Sequence, residues 1–510
     1  MDLAEFQSSL QRQHSPLPVF NASVSVDQWR ALPFQAKQAG GRLVALWGSE
    51  RDGAAAICAA YASGSGLLAV ELPLTDARNY PSLAAEFPAA VRMERAAADL
   101  NGIRPLDSDD ARPWLNHGAW PVDWHPLRAA ADPERRFPDS RLRDYDFVRV
   151  EGEGVHEIPV GPVHAGIIEP GHFRFSIVGE RVLKLEQRLG YKHKGIEQRF
   201  QGMAADEGHR LAGRVSGDST VAYAWAYCMA LEAIREQTEP PRARWLRALM
   251  LERERVANHL GDLGALGNDA AFGFGLSQFM RLKEDWLRLN QRVFGHRMLM
   301  DRIVPGGVAV DVDVEARLAM REQCGAVAQE VRELRSIYDE HQGLQDRFVT
   351  TGRVTPQLAA ELGLTGLAGR ASSIVCDLRC DYEMAPYGDL GVAMASHRNG
   401  DVAARVHVRF EELLESLRLI GEICDRLPDG PIRSEAAAAA GSGIGWIEGW
   451  RGEVLVALEV DGDDRITRCH CHDPSWQNWP VLEHAVIGNI VPDFPLINKS
   501  FNLSYAGHDL

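Results

Sequence analysis

The sequence predicts an α+β chain: a small N-terminal α+β domain, then a large helical bundle with β-hairpins at both ends. Three observations carry this. Short apolar runs bounded by Gly, Ser and Pro lie between residues 43 and 72, and helical periodicity governs 205–430. Alternating apolar segments joined by tight turns lie near 172–187 and 454–472. A chain of 510 residues also exceeds what one hydrophobic core ordinarily organises.

Taken in order, Leu43-Val44-Ala45-Leu46-Trp47 and Leu67-Leu68-Ala69-Val70-Glu71-Leu72 read as strands around a short helix. A helix follows from Ser82 to about Ala98, then a Pro- and Asp-rich stretch. Pro133, Arg135, Arg136, Pro138 and Asp139 mark a linker, which places the boundary near 145 and gives modules 1–145 and 146–510. His172 to Val178 alternates, Gly179-Glu180 turns, and Arg181 to Gln187 returns. Glycine at the first turn position suits a type II′ hairpin. Trp245, Leu246, Leu249, Val256, Leu260 and Leu263 recur at helical spacing, as do Phe410, Leu413, Leu414, Leu417, Ile420 and Cys424. Val454, Val456, Leu458 and Val460 alternate, Asp461 to Asp464 turn, and Ile466 to His472 returns. Ala436 to Ala440 reads as a surface loop or helix end.

Composition excludes several classes. Hydrophobic residues at 45% and charged residues at 25% are globular values. Fifty-five basic against 71 acidic residues leave a net charge of −16, which argues against a nucleic-acid partner. Eight cysteines are too sparse for a disulfide scaffold and point to a reducing compartment. Met1-Asp2-Leu3-Ala4-Glu5-Phe6 lacks the start of a secretory signal. The least polar stretch, Ala54 to Val70, falls short of a membrane span. The expectation is a chain without a transmembrane segment that can dock on a membrane partner.

Four polar clusters could carry chemistry. Gly161-Pro162-Val163-His164-Ala165-Gly166 with Glu169-Pro170-Gly171-His172 sets two imidazoles and a carboxylate before a hairpin, a proton-carrying set near neutral pH. The same residues equally suit a Gly/Pro-shaped turn with its imidazoles bonded to backbone. Lys192-His193-Lys194-Gly195-Ile196-Glu197 reads, by itself, as a solvated helix start. Glu252 and His259, seven apart, share one helical face, as a buried polar pair or a surface stripe. In Cys469-His470-Cys471-His472, strand alternation puts thiols on one side and imidazoles on the other, so four ligands cannot converge; Cys376 and Cys380 could add a second pair, or all could pack as small apolar groups. There is no Walker loop, Gly-x-Ser-x-Gly elbow, four-Cys ferredoxin run or dinucleotide fingerprint.

Together these stretches resemble a family. Gly161-Pro162-Val163-His164, Glu169-Pro170-Gly171-His172-Phe173-Arg174-Phe175 and Gly190-Tyr191-Lys192-His193-Lys194-Gly195-Ile196-Glu197 resemble the opening of group 4 NiFe hydrogenase large subunits, and equally the related 49 kDa subunit of respiratory complex I. The likeness continues through Glu252-Arg253-Glu254-Arg255, His259-Leu260 and Asp262, then Gly295-His296-Arg297 and Pro305-Gly306-Gly307-Val308. Gly369-Arg370-Ala371-Ser372 with Asp377 and Arg379, Pro386-Tyr387-Gly388 and Glu448-Gly449-Trp450-Arg451-Gly452 complete it. Glu94-Arg95, Asp99-Leu100-Asn101-Gly102-Ile103 and Trp124-His125-Pro126-Leu127-Arg128 resemble the 30 kDa complex I subunit. The fusion is the arrangement of formate hydrogenlyase and hydrogenase-4 large subunits.

The departures bear on function. The family's first Cys-x2-Cys pair falls on Ser216 and Ser219 of Arg214-Val215-Ser216-Gly217-Asp218-Ser219. The second falls on Ser475 and Asn478, after Asp473-Pro474. Hydroxyls and amides are poor ligands for a soft metal centre, so the resemblance implies a protein without NiFe. Gly217 stands where the complex I quinone tyrosine is expected. His164 or His172 matches the quinone-site histidine, and Asp269 its acidic partner.

What the resemblance implies is an oxidoreductase subunit, with a non-catalytic scaffold as the alternative. It would take electrons from an iron–sulfur small subunit and couple them, through antiporter-like membrane subunits, to proton or ion movement. Its place would be the cytoplasmic face of the inner membrane. Glu169 matches the family's proton-transfer glutamate, assisted by His164 and His172. Arg214, Ser216, Gly217, Asp218, Ser219, Asp269, Arg370, Asp473, Ser475 and Asn478 would line the vacated pocket. No cofactor is expected on this chain, a quinone is a candidate acceptor, and nicotinamide would enter only through other subunits.

Overall fold

The computed structural model describes residues 10–51, 53–132, 134–164 and 168–510. The N-terminal hexapeptide, the linker marker Pro133, and Ala165 and Gly166 of the first polar cluster lie outside the described residues.

A five-stranded sheet forms the first module: β1 (Gln11–Arg12), β2 (Val19–Ser23), β3 (Arg42–Arg51), β4 (Ala54–Ser63) and β5 (Gly66–Pro73). The spatial order is β1-β2-β5-β4-β3, with β2 parallel to β5 and the other neighbours antiparallel. The expected short helix between the apolar runs is therefore strand β4. Its alanines favour helix in isolation, but the segment lies between two partners with nearly every residue buried, and ladder pairing overrides propensity. Helix α1 (Val26–Gln38) crosses from β2, opened by a Ser25–Gln28 capping box. Helix α2 (Ala90–Asn101) packs on β3 and starts eight residues later than the sequence suggests, just past Pro88; Gly102 at φ 67° closes it.

Residues 107–154 hold no helix or strand among those described, yet they are tied down. Asp99 accepts the backbone N–H groups of Trp114, Leu115 and Asn116 at 2.7, 2.7 and 3.0 Å. The hydrophobic core then runs unbroken from the first module into the second.

Two short parallel strands, β6 (Asn79–Pro81) and β7 (Arg104–Leu106), flank α2. The hairpin β9 (His172–Val178) and β10 (Arg181–Arg188) forms as the alternation predicts, with Gly179 at φ 59°, and β8 (Val155–Val160) adds a third strand. The bundle comprises α3 (Thr220–Ile234), α4 (Pro241–Asp269), α5 (Gly273–Phe294), α6 (Val314–Glu340) and α7 (Val402–Arg426). Helix α4 is its axis, buried on nearly every side from Leu246 to Gly264, so its charged residues must pair internally.

The closing sheet is β11 (Gly441–Glu448), β12 (Glu453–Val460) and β13 (Ile466–His472), followed by α8 (Ser475–Ala485), α9 (Phe494–Phe501) and α10 (Tyr505–Asp509). The sequence reading leaves β11 unannounced. Its glycines let it lie directly on α3: a Cβ on Gly445 would stand 1.7 Å from the Ala226 carbonyl oxygen. No helix among the described residues is long and apolar enough to cross a membrane.

Candidate active site: a hydroxyl-lined pocket

Four segments distant in sequence meet at one point. They are the loop before α3, the turn between β11 and β12, the β13–α8 junction and the start of α10. The Ser216 hydroxyl donates to Asp218 Oδ1 at 2.7 Å and lies 2.9 Å from the Ser504 hydroxyl. The Ser504 N–H donates to Ser475 Oγ at 2.9 Å. A chain Ser216–Ser504–Ser475 thus joins the two stretches on which the resemblance places the family's Cys-x2-Cys pairs. Ser504 is the N-cap of α10 and also accepts from Gly507 N–H.

Arg451 closes the cluster. Its guanidinium donates to both Asp218 oxygens at 3.0 and 2.5 Å, to Ser219 Oγ at 3.3 Å and to the Asn502 carbonyl at 2.6 Å. It lies 4.0 Å from the Trp450 ring centre, while the Trp450 indole donates to the Asp218 carbonyl at 2.9 Å. The tight turn delivers both side chains: Gly449 and Gly452 bond to one another, and Gly452 takes φ 142°, which favours glycine. Asp473 accepts from Tyr223 Oη at 2.9 Å and from Ser475 N–H at 2.8 Å. Asn478 is committed to Thr365 through both ends of its amide. A Cβ on Gly217 would meet nothing within 4 Å, so the loop is open on that side.

Burial alone would raise the Asp218 carboxyl, but the charge and hydrogen bonds of Arg451 outweigh it and hold the group at about 2. Glu254, on α4, accepts the Val221 and Ala222 N–H groups at 2.7 and 3.2 Å. Burial with little compensating charge nonetheless pushes it up to about 8. Burial likewise raises the Tyr223 phenol well above its ordinary range.

Glu169 reaches this region. Its Oε2 accepts from Ala506 N–H at 3.0 Å, two residues past Ser504, and its Oε1 lies 3.5 Å from Lys192 Nζ. The imidazoles brace the loop that carries it: His164 Nε2 lies 2.8 Å from the Gly171 carbonyl, and His172 Nδ1 lies 3.3 Å from that of Gly161. Burial lowers the His172 pKa.

Three expected lining residues lie elsewhere. Arg214 is exposed and bidentate on Asp301 at 2.6 and 2.7 Å. Asp269 is exposed at the end of α4, with no hydrogen bond to the cluster among the described residues. Arg370 is fully buried on Glu412 at 2.7 Å and Glu448 at 2.9 Å. It communicates with the pocket only through neighbours: Glu412 lies 3.0 Å from His259, whose ring meets Trp450 edge-on at 6.2 Å. Glu252 and His259 are both wholly buried, which excludes the surface stripe, and each has its own partners: Arg379, Tyr387 and Ser416 for Glu252, Glu412 for His259.

The remaining clusters are structural. Glu197 is buried against His470 at 2.6 Å and Arg468, so the 192–197 segment is no solvated helix start. Cys469 and Cys471 share a face with sulfurs 4.0 Å apart, while His470 stacks on Trp47 and His472 pairs with Gln477. Cys376 and Cys380 turn instead to Glu453 and the Val392 carbonyl. Among the described residues no group of three or more His, Cys, Asp or Glu could hold a metal ion.

The sequence reading missed Arg451 and Ser504 as pocket residues. Arg451 stood in view within Glu448-Gly449-Trp450-Arg451-Gly452; nothing local marks Ser504. The donors at the four pair positions are hydroxyl and amide groups already bonded elsewhere: Ser216 to Asp218 and Ser504, Ser219 to Arg451, and Ser475 and Asn478 to backbone. That set does not fit a thiolate-held nickel–iron centre. It can bind a polar group, and the Ser216–Ser504 hydroxyl pair can pass a proton to Asp218, whereas Ser475 is joined only through the Ser504 backbone N–H.

Comparison with known proteins bears out the architecture. The family described as respiratory-chain NADH dehydrogenase, 49 Kd subunit, matches residues 274–441 and 434–509, and the 30 Kd subunit family matches 36–136. Formate hydrogenlyase subunit 5 of Escherichia coli K12 is 30% identical over 436 residues, 84% of this chain and 77% of its own. Hydrogenase-4 component G of the same organism is 32% identical over 439 residues, 85% and 76% respectively. A solved chain from the membrane-bound sulfane sulfur reductase, an archaeal respiratory membrane complex, shares the fold with TM-score 0.66 and 24% identity, covering 70% of this chain and 99% of that one.

Fold and site define a large subunit of the complex I-like oxidoreductases. More narrowly, the chain belongs to the family of fused 30 kDa-like and 49 kDa-like subunits that includes formate hydrogenlyase subunit 5 and hydrogenase-4 component G.

Proposed function

We propose that this chain works in a membrane-associated complex as a redox-coupling subunit without nickel or iron of its own. It takes electrons from an iron–sulfur small subunit and delivers them to an acceptor at the hydroxyl-lined pocket. Antiporter-like membrane subunits turn the resulting proton change into ion movement at the cytoplasmic face of the inner membrane. The observation that carries this reading is the Ser216–Ser504–Ser475 chain, closed by Arg451 and Asp218 at the family's metal positions. The acceptor is a quinone or a small polar molecule, entering on the open side at Gly217. Arg451 orients it and stabilises developing negative charge, and the Ser216–Ser504 hydroxyl pair passes on protons that enter from solvent. Glu169, held at Ala506 and half-exposed, exchanges protons with the outside.

A scaffold reading has one observation in its favour: the former ligand positions are satisfied without any guest. Affinity purification of the chain from gently solubilised membranes, with mass spectrometry of its companions, tests both. An iron–sulfur small subunit together with antiporter-like proteins supports the redox reading. Recovery of the chain alone, or with unrelated soluble proteins, overturns it.

A further inference from the structure

A cavity of about 400 Å³ lies between the irregular 107–154 segment and the 193–199 turn of the second module. That size suits a small-molecule ligand. Its walls combine rings and cations. Trp120 and Trp124 meet edge to face at 6.3 Å, Trp124 and Phe137 at 5.0 Å, and Trp120 faces His193 at 6.0 Å. These rings pack edge to face or tilted on one another and form an aromatic wall against which a planar group can lie. The Trp120 indole N–H is shielded from solvent and donates to no acceptor among the described residues.

Arg135, Arg136, Lys194 and Arg199 also line the cavity. In a chain of net charge −16, such a group of cations is not background. Arg136 is paired with Glu134, and Lys194 bonds the Val215 carbonyl. Arg135 lies over Phe137 at 5.2 Å, and Arg199 spends only Nε, on the Lys194 carbonyl. Neither makes an ion pair among the described residues. Glu197, the carboxylate in the lining, is spent behind the wall on His470 and Arg468.

We propose that this cleft binds a planar aromatic anion: a ring bearing a phosphate, of mononucleotide size. The ring stacks among Trp120, Trp124 and Phe137, and the phosphate faces Arg135 and Arg199. Both modules contribute walls, so the site needs the two together.

The test is calorimetric titration of the purified full-length chain with AMP, and separately with adenosine. AMP binds saturably. Trp124→Ala weakens it at least tenfold, while Trp124→Phe keeps it within threefold. The double variant Arg135→Ala/Arg199→Ala changes two exposed side chains; it weakens AMP at least tenfold and leaves adenosine within twofold. Absence of saturable AMP binding overturns the proposal, as does wild-type AMP affinity in the double arginine variant.

Discussion

Replacing Asp218 by Asn keeps the shape of the pocket and deletes the charge facing Arg451. The Arg451 side chain is only 6% exposed and that of Asp218 34%, so the pair lies between a surface and a buried ion pair. The fall of the Asp218 carboxyl from 3.8 to about 2 corresponds to about 2 kcal/mol once solvent screening is allowed for. A depressed carboxylate contributes stability that is fully present above pH 4 and lost as pH falls through about 2. At pH 7, Asp218→Asn therefore costs about 2 kcal/mol, and Arg451→Met costs about 3 kcal/mol because Asp218 then loses its countercharge and Asn502 a donor. The double variant costs little more than the worse single change, a coupling of about 2 kcal/mol. Thermal melts of the four proteins at pH 7 read this out, with the single variants lowered by roughly 2–3 °C in a chain of 510 residues. Strictly additive losses would refute the claim that one ion pair closes the pocket.

Glu254, raised to about 8, holds its proton more tightly when folded than its ordinary 4.5. The sign follows: wild-type stability declines as pH rises from about 4.5 to 8, and Glu254→Gln flattens that decline in melts across this range; an unchanged slope would show that the carboxyl is not protonated. Gly445→Ala, whose Cβ would collide with the α3 backbone, costs at least about 3 kcal/mol or abolishes soluble expression, whereas Gly217→Ala, facing open space, leaves the melt within 1 °C. Glu169→Gln in the intact complex lowers turnover at least tenfold with normal assembly on native gels; full activity would assign the proton path elsewhere.

Much of the fold was written in local pattern. The hairpin 172–188, the strands after 453 and helix α7 follow from alternation or 3.6-residue spacing, because each buries one face. The failures share a cause. Ala54–Ser63 is strand because two neighbours pair with it, and Gly441–Glu448 is strand because glycines let it approach α3; neither partner is visible locally. In the site, the serines and Asp218 were legible by resemblance, since they occupy positions framed by recognisable neighbours. Arg370 and Asp269 were not, because sequence order does not reveal which way a residue on a packed helix faces. The partnership of Ser216 with Ser504 spans 288 residues and depends on the whole bundle.

The central claim is that this family member carries a hydroxyl-and-arginine pocket where its relatives' resemblance implies thiolate-held metal. Elemental analysis of the complex, purified with this chain at known stoichiometry from cells grown with added nickel, tests it most directly. The account predicts iron and acid-labile sulfide from the partner subunit, with nickel below about one atom per ten chains. One nickel per chain, lost on Ser216→Ala/Ser475→Ala, would contradict it.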